Sequence, residues 1–140
     1  MCSIQRPLDT KTQPRIAVEA EAVLGVLTLC EAGQVELLSS AALVFELAHN
    51  PHPVRKEYAI KVLAKATTFI PIDSQNEAHA RRFESAGIKP VDALHLALAV
   101  ASKADYFCTC DDRFLKRAKA VETAQTKVVS PLELITEVTQ

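Results

Sequence analysis

The apolar and polar positions along the chain predict short strands that alternate with helices. Short runs rich in β-branched and aromatic residues predict strands over residues 35–38, 67–72, 106–109 and 127–129. Apolar residues that return every three or four positions, between capping residues, predict the helices. These helices cover residues 16–31, 40–49, 54–66, 74–86, 90–102, 111–120 and the segment from 131 onward.

This alternation favours an α/β sandwich with a mainly parallel sheet, because parallel strands need a crossover helix between them. The chain has no internal repeat, low-complexity stretch or linker, and 140 residues suit one hydrophobic core. We therefore expect residues 1–140 to form a single domain. In parallel sheets the functional site lies beyond the carboxyl ends of the strands, so candidate chemistry is sought there.

The composition of the chain limits or excludes several kinds of function. Sixteen basic and seventeen acidic residues leave a formal charge of −1, so any binding of nucleic acid must depend on local patches. Three glycines are too few and too scattered for a glycine-rich phosphate loop. The longest uninterrupted apolar run has six residues, against about 20 for a membrane span, so no membrane partner is expected.

The four cysteines also inform the expected compartment. Cys2, Cys30, Cys108 and Cys110 include no C-x-x-C spacing, which argues against a structural zinc site. The first residues lack the apolar segment of a signal peptide, and the chain is long enough to fold without disulfides. We therefore expect a cytoplasmic protein. Cys108 and Cys110 face one side of a strand and are most simply packed.

Three carboxylates lie in unusually apolar surroundings. Glu46 is the only acidic or basic residue between Glu36 and Arg55, on a helix of mostly apolar residues. Asp92 begins the most apolar helix, and Asp111 follows a strand. Each has an ordinary explanation: Glu46 as an exposed side chain, Asp92 as a helix-dipole partner and Asp111 as an N-cap. If the three meet, their repulsion is usually offset by a hard divalent cation with oxygen ligands.

Three motifs around these acids carry a family resemblance. They are Ser-Ala-Ala-Leu-Val-Phe-Glu ending at Glu46, Pro-Val-Asp-Ala-Leu-His-Leu-Ala around Asp92, and Thr-Cys-Asp-Asp-Arg-Phe beginning at Thr109. Their order and spacing resemble the downstream motifs of PIN-domain nucleases over nearly the whole chain. The resemblance implies an α/β/α sandwich and a divalent-metal-dependent endoribonuclease, often the toxin of a toxin–antitoxin pair. An RNA substrate, a homodimer and an antitoxin protein are the partners it implies.

The resemblance also implies residue roles. Glu46, Asp92 and Asp111 would hold Mg²⁺ or Mn²⁺, directly or through water, as catalytic residues. Thr109 would complete the catalytic set as the hydroxyl that supports the last acid. Asp112 is either an additional acid or, more commonly, a helix cap.

One departure from the family concerns the start of the chain. The family begins with an apolar strand that ends in a catalytic Asp, whereas Met1-Cys2-Ser3-Ile4 resembles the segment just after that Asp. We expect that strand and its Asp to be encoded upstream of Met1, or residues 2–4 to pair with the sheet in its place. Asp9 is the nearest acid, but no strand precedes it, so it is not assigned to the site.

Basic residues provide the candidate contact with RNA. A helix face directly after Asp111 carries three cations at helical spacing, Arg113, Lys116 and Arg117. Two interpretations are equally good: contact with the phosphates of RNA, or a charged face in solvent. His95 shares a face with Asp92 and could bond Asp92 or a phosphate, although a buried structural histidine is the commoner interpretation. The alternative function is a catalytically silent PIN-like module that binds RNA or a protein.

Overall fold

The computed structural model describes residues 2–9 and 13–139. Within them, parallel strands alternate with helices. The strands are β1 (Leu38–Ser40), β2 (Thr68–Ile70), β3 (Tyr106–Cys108) and β4 (Lys127–Val129). The helices are α1 (Cys2–Gln5), α2 (Pro14–Glu31), α3 (Ala41–Ala48), α4 (Pro53–Leu63), α5 (Ser74–Ser85), α6 (Pro90–Ala101), α7 (Asp112–Lys119) and α8 (Pro131–Val138). A 3₁₀ turn, Arg6–Leu8, follows α1 directly.

Side-chain caps fix several helix starts. Ser40 Oγ accepts a hydrogen bond from the Leu43 amide at 3.2 Å and thereby begins α3, as the sequence predicts. Asp73, rather than the predicted Ser74, caps α5, because its Oδ1 accepts from the Asn76 amide at 2.8 Å. Gly87 then ends the α5 region with a φ of 95°, a left-handed conformation that glycine adopts without steric cost.

The strands form two parallel pairs. β1 pairs with β2, with Leu38 opposite Thr68, and β3 pairs with β4, with Tyr106 opposite Lys127. The parallel direction confirms the α/β prediction. Within the described residues the parallel strands form two separate two-stranded sheets.

The first residues do not pair with either sheet. Residues 2–5 form α1, which corrects the expectation that residues 2–4 add a strand. A helical turn satisfies backbone groups within itself, and Pro7 has no N–H to contribute to a strand ladder. The segment reaches the second sheet through a side chain instead: Ser3 Oγ donates to the Cys108 carbonyl at 3.2 Å. Met1 lies outside the described residues, so the expectation of an upstream strand stays a prediction.

A series of ion pairs ties this N-terminal segment to three helices. Its centre is Glu19 of α2, which is 3% exposed and lies between two guanidinium groups. A buried carboxylate needs such compensation. The nitrogen–oxygen distances are Arg55–Asp9 2.7 Å, Arg6–Asp9 2.8 Å, Arg6–Glu19 3.4 Å, Arg15–Glu19 3.5 Å and Arg15–Asp112 2.6 Å. Together they link α4 to α7 through residues 6–9.

The main core surrounds α6. Ala93, Leu96 and Ala97 are completely buried, and Phe83 of α5 and Phe114 of α7 pack against the same cluster. This packing explains why α6 is strongly apolar, and it fixes the position of Asp92 in its first turn. Within residues 2–9 and 13–139, no helix combines the length and apolarity that a membrane crossing requires.

The last helix provides a pH-dependent contribution to stability. Glu133 accepts from Lys119 and from the Ser130 amide in a capping box, and the Lys119 hydrogen bond in particular lowers the pKa of Glu133. Because the pKa of Glu133 in the folded state is lowered, its carboxylate stabilises the fold above the ordinary pKa of 4.5. That stabilisation is lost as the pH falls from there through the lowered pKa. Glu133 is partly exposed, so the loss should not exceed about 1 kcal/mol. Between pH 6 and pH 3, the free energy of unfolding measured with urea should fall less for Glu133→Gln than for the wild type. Equal decreases for the two proteins would contradict the assignment.

Candidate active site

A cavity of about 310 Å³ lies where α3, α6 and the end of β3 meet. The carboxylates that the sequence singles out, Glu46, Asp92 and Asp111, all contribute to its lining, together with Thr109. They come from three separate elements, up to 65 positions apart in the sequence. The fold therefore brings the predicted residues to one cavity, although their chemical roles stay predictions.

Glu46 is held by a histidine. Its Oε1 accepts a hydrogen bond from Nε2 of His95, which is 7% exposed on α6 and one turn along from Asp92. That hydrogen bond lowers the pKa of Glu46, so the carboxylate stays ionised at neutral pH. His95 is buried, as the commoner interpretation predicts, and it hydrogen-bonds Glu46.

Asp92 occupies the first turn of α6 and is half-buried. Val91 on one side is exposed and Ala93 on the other is completely buried, so Asp92 lies at the boundary between core and cavity. The positive end of the helix dipole favours a carboxylate at this position. Asp92 therefore lies where a dipole partner is expected and also lines the cavity, while its role as a metal ligand stays a prediction.

Asp111 is at once an N-cap and a residue of the cavity wall. Its Oδ1 accepts from the amides of Arg113 at 3.0 Å and Phe114 at 3.2 Å, which begins α7. Thr109 is 4% exposed, and its Oγ1 accepts from the Asp111 amide at 3.1 Å. The threonine hydroxyl thus supports Asp111 through its backbone and fixes the direction in which the chain enters α7.

Asp112 has neither of its two predicted roles. It does not line the cavity, and Asp111 supplies the cap of α7. Arg15 at the start of α2 donates to both Asp112 carboxylate oxygens, at 2.6 and 2.7 Å, and this hydrogen bonding lowers the pKa of Asp112. The expectation of an additional acid or cap is corrected to an interhelical ion pair.

The predicted basic face lies beside the cavity on α7. Arg113, Lys116 and Arg117 are all exposed, but none of them is part of the cavity lining. Arg117 Nη1 donates to the Gly87 carbonyl, so this guanidinium holds the loop between α5 and α6. Arg113 and Lys116 are therefore the better candidates for contact with phosphates.

The cavity wall also includes an arginine and two cysteines that the sequence does not single out as site residues. Cys108 and Cys110, which were interpreted as packed, line it, and so does Arg6. Arg6 reaches a wall formed by residues roughly 100 positions later in the chain, a contact that no local spacing rule encodes. The only available signal was its place in a short basic and proline-containing segment just before Asp9.

The donor chemistry of the cavity suits a hard cation. Carboxylate oxygens are the ligands that Mg²⁺ and Mn²⁺ prefer, and Mg²⁺ commonly uses only one or two of them and keeps several waters. Within residues 2–9 and 13–139, no three His, Cys, Asp or Glu side chains are grouped closely enough to ligate one ion. The residues therefore fit a cation that is held by a few carboxylates and by water.

Comparison with known proteins identifies one family. The family model described as the PIN domain matches residues 6–120, which include every acid of the cavity. No curated protein and no solved structure matches the chain.

Proposed function

Since the chain belongs to the PIN-domain family, whose members share an α/β/α fold and are generally nucleases, we propose that it is a divalent-metal-dependent endoribonuclease. The observation that carries this proposal is the common cavity of Glu46, Asp92 and Asp111. Three carboxylates beside one cavity repel each other and any phosphodiester, and a divalent cation offsets both repulsions.

The proposed mechanism assigns a task to each residue. Glu46, Asp92 and Asp111 would hold Mg²⁺ or Mn²⁺, which supplies activation of water and neutralisation of phosphate charge when bound. His95 fixes the orientation of Glu46 and keeps it ionised. Thr109 holds the backbone of Asp111 in place.

One observation favours the alternative of a catalytically silent module. Glu46 is already paired with His95, and among the described residues no three potential ligands are grouped as they would be around an ion. A module of this kind would still bind RNA or a protein through the surfaces around the cavity. It would neither bind Mn²⁺ in the cavity nor cleave RNA.

Cleavage of a single-stranded RNA with Mn²⁺ and with EDTA separates these functions. We expect Mn²⁺-dependent cleavage by the wild-type protein and its loss in Glu46→Gln. The control is Glu84→Gln, a matched change at an exposed position of α5, which should cleave at the wild-type rate. RNA binding without cleavage in Mn²⁺ would favour the silent module.

We also propose that the protein is a cytoplasmic toxin that forms a homodimer and is neutralised by an antitoxin. Exposed apolar side chains on α3 and α4, among them Phe45, Val54 and Ile60, support a protein partner. Light scattering tests the dimer: a monomeric mass would contradict it, and Val54→Asp should reduce dimer formation.

The basic face of α7 gives a prediction on RNA binding. Changing both Arg113 and Lys116 to Ala should weaken binding to every single-stranded RNA and reduce the salt slope by about 1.4, since each phosphate contact contributes about 0.7. Fluorescence anisotropy over a range of salt concentrations measures this slope. The matched control changes Arg81 and Arg82, two exposed cations of α5, to Ala. A salt slope equal to that of the control would contradict the assignment.

A further inference from the structure

Arg6 differs in charge from the rest of the cavity. Of the described residues that line it, three are acids, and Arg6 alone is an arginine or lysine. Its side chain is 17% exposed and belongs to the segment between α1 and α2, not to any element that carries the acids. A fixed cation beside carboxylates is a feature of sites that bind an anion and a metal ion together.

The position of Arg6 is fixed by two carboxylates that do not line the cavity. Its Nη1 donates to Asp9 at 2.8 Å, and its Nε lies 3.4 Å from the buried Glu19. Asp9 is itself held by Arg55 at 2.7 Å, and Glu19 is shared with Arg15. The guanidinium therefore loses little conformational entropy if it binds a ligand in the cavity.

Arg6 shares both of its carboxylate partners with other arginines, in a network that with Asp112 has three guanidinium groups and three carboxylates. Asp9 is divided between two guanidinium groups and Glu19 between two, so neither carboxylate belongs to Arg6 alone. Arg6 Nε lies 3.4 Å from Glu19, and this nitrogen has no hydrogen-bond partner among the described residues. Arginine binds phosphate oxygens through planar, paired N–H groups, so Arg6 suits a phosphate better than a lysine would.

We propose that Arg6 binds a phosphate group of the RNA substrate next to the carboxylates and does so without metal. The proposal rests on the proposed function, because it takes RNA as the ligand of the cavity. Glu46, Asp92 and Asp111 repel a phosphodiester, and Arg6, which lines the same cavity, offsets that repulsion. It adds a substrate-positioning residue to the three acids.

The test compares Arg6→Gln with Arg55→Gln. Each variant loses one ion pair to Asp9, and Arg6→Gln also loses the ion pair with Glu19, but only Arg6 lines the cavity. Binding of a labelled single-stranded RNA is measured by anisotropy in EDTA over a range of salt concentrations. Arg6→Gln should bind about 10-fold more weakly, as expected for one charge-assisted hydrogen-bonded contact, and its salt slope should fall by about 0.7. Arg55→Gln should bind as the wild type does.

A third variant guards against a loss of folding. Arg6→Lys keeps the charge and should retain the salt slope while it loses part of the affinity, because lysine cannot form the paired contact. Equal affinity for wild type and Arg6→Gln, equal losses in Arg6→Gln and Arg55→Gln, or no RNA binding by the wild type in EDTA would overturn the proposal.

Cleavage measured in parallel keeps the two claims separate. If the wild type binds RNA through Arg6 but does not cleave it with Mn²⁺, the endoribonuclease function fails and the role of Arg6 stands. If the wild type cleaves RNA and Arg6→Gln binds RNA normally, the role of Arg6 fails alone.

Discussion

Replacing Asp92 by Asn is expected to reduce metal-dependent RNA cleavage at least about 100-fold, since even changes to the neighbours of metal ligands cost 10- to 100-fold. The fold should persist, because Asn keeps the size of Asp and the core around α6 is untouched. Without metal, the amide relieves repulsion from Glu46 and Asp111, so the melting temperature should stay level or rise. The stabilisation that Mn²⁺ gives the wild type should shrink.

Thermal melts with and without Mn²⁺, together with cleavage rates, check this expectation. The matched control is Asp105→Asn, the same change at an exposed position before β3, which should preserve both cleavage and stabilisation by Mn²⁺. Strong destabilisation of Asp92→Asn without metal would show that Asp92 serves mainly to stabilise the start of α6. In that case its assignment to the metal site would be wrong.

Replacing Leu96 by Ala is expected to lower the free energy of unfolding by about 2–5 kcal/mol, the usual cost of truncating a buried leucine. Leu96 is completely buried at the centre of the cluster formed by α5, α6 and α7. Typical domains are stable by about 5–15 kcal/mol, so this variant should be near its limit.

Urea unfolding measures the effect of Leu96→Ala. Val91→Ala provides the comparison on the same helix, because Val91 is 48% exposed and its truncation should change stability by no more than about 0.5 kcal/mol. Similar losses for the two variants would show that α6 is not the centre of the core.

Local patterns were enough to predict most elements. Helix starts at Pro90 and after Ser40, and the strand over residues 127–129, follow from capping, proline and β-branched residues that act within a few positions. The cap of α5 shows the limit of local patterns, because the sequence predicts Ser74 and the structure has Asp73. Adjacent capping residues differ little in capping energy, so the sequence does not decide between them.

Long-range contacts were not predictable in the same way. Asp112 looked like a cap or an acid of the site, but its partner Arg15 lies 97 positions earlier. The place of Arg6 in the cavity wall likewise depends on ion pairs with Asp9 and Glu19, for which the sequence has no local spacing signal. A pattern of apolar positions likewise predicts strands but does not say which strands pair in one sheet.

The central claim is that Glu46, Asp92 and Asp111 hold a divalent cation in their common cavity, directly or through water, and calorimetric titration with Mn²⁺ tests it most directly. Asp111→Asn is the most informative variant, because Asn caps a helix as well as Asp does and α7 should still form. We predict that the wild type binds Mn²⁺ and that Glu46→Gln, Asp92→Asn and Asp111→Asn each bind it at least about 10-fold more weakly. Absence of Mn²⁺ binding by the wild type, or equal binding by all four proteins, would contradict the account.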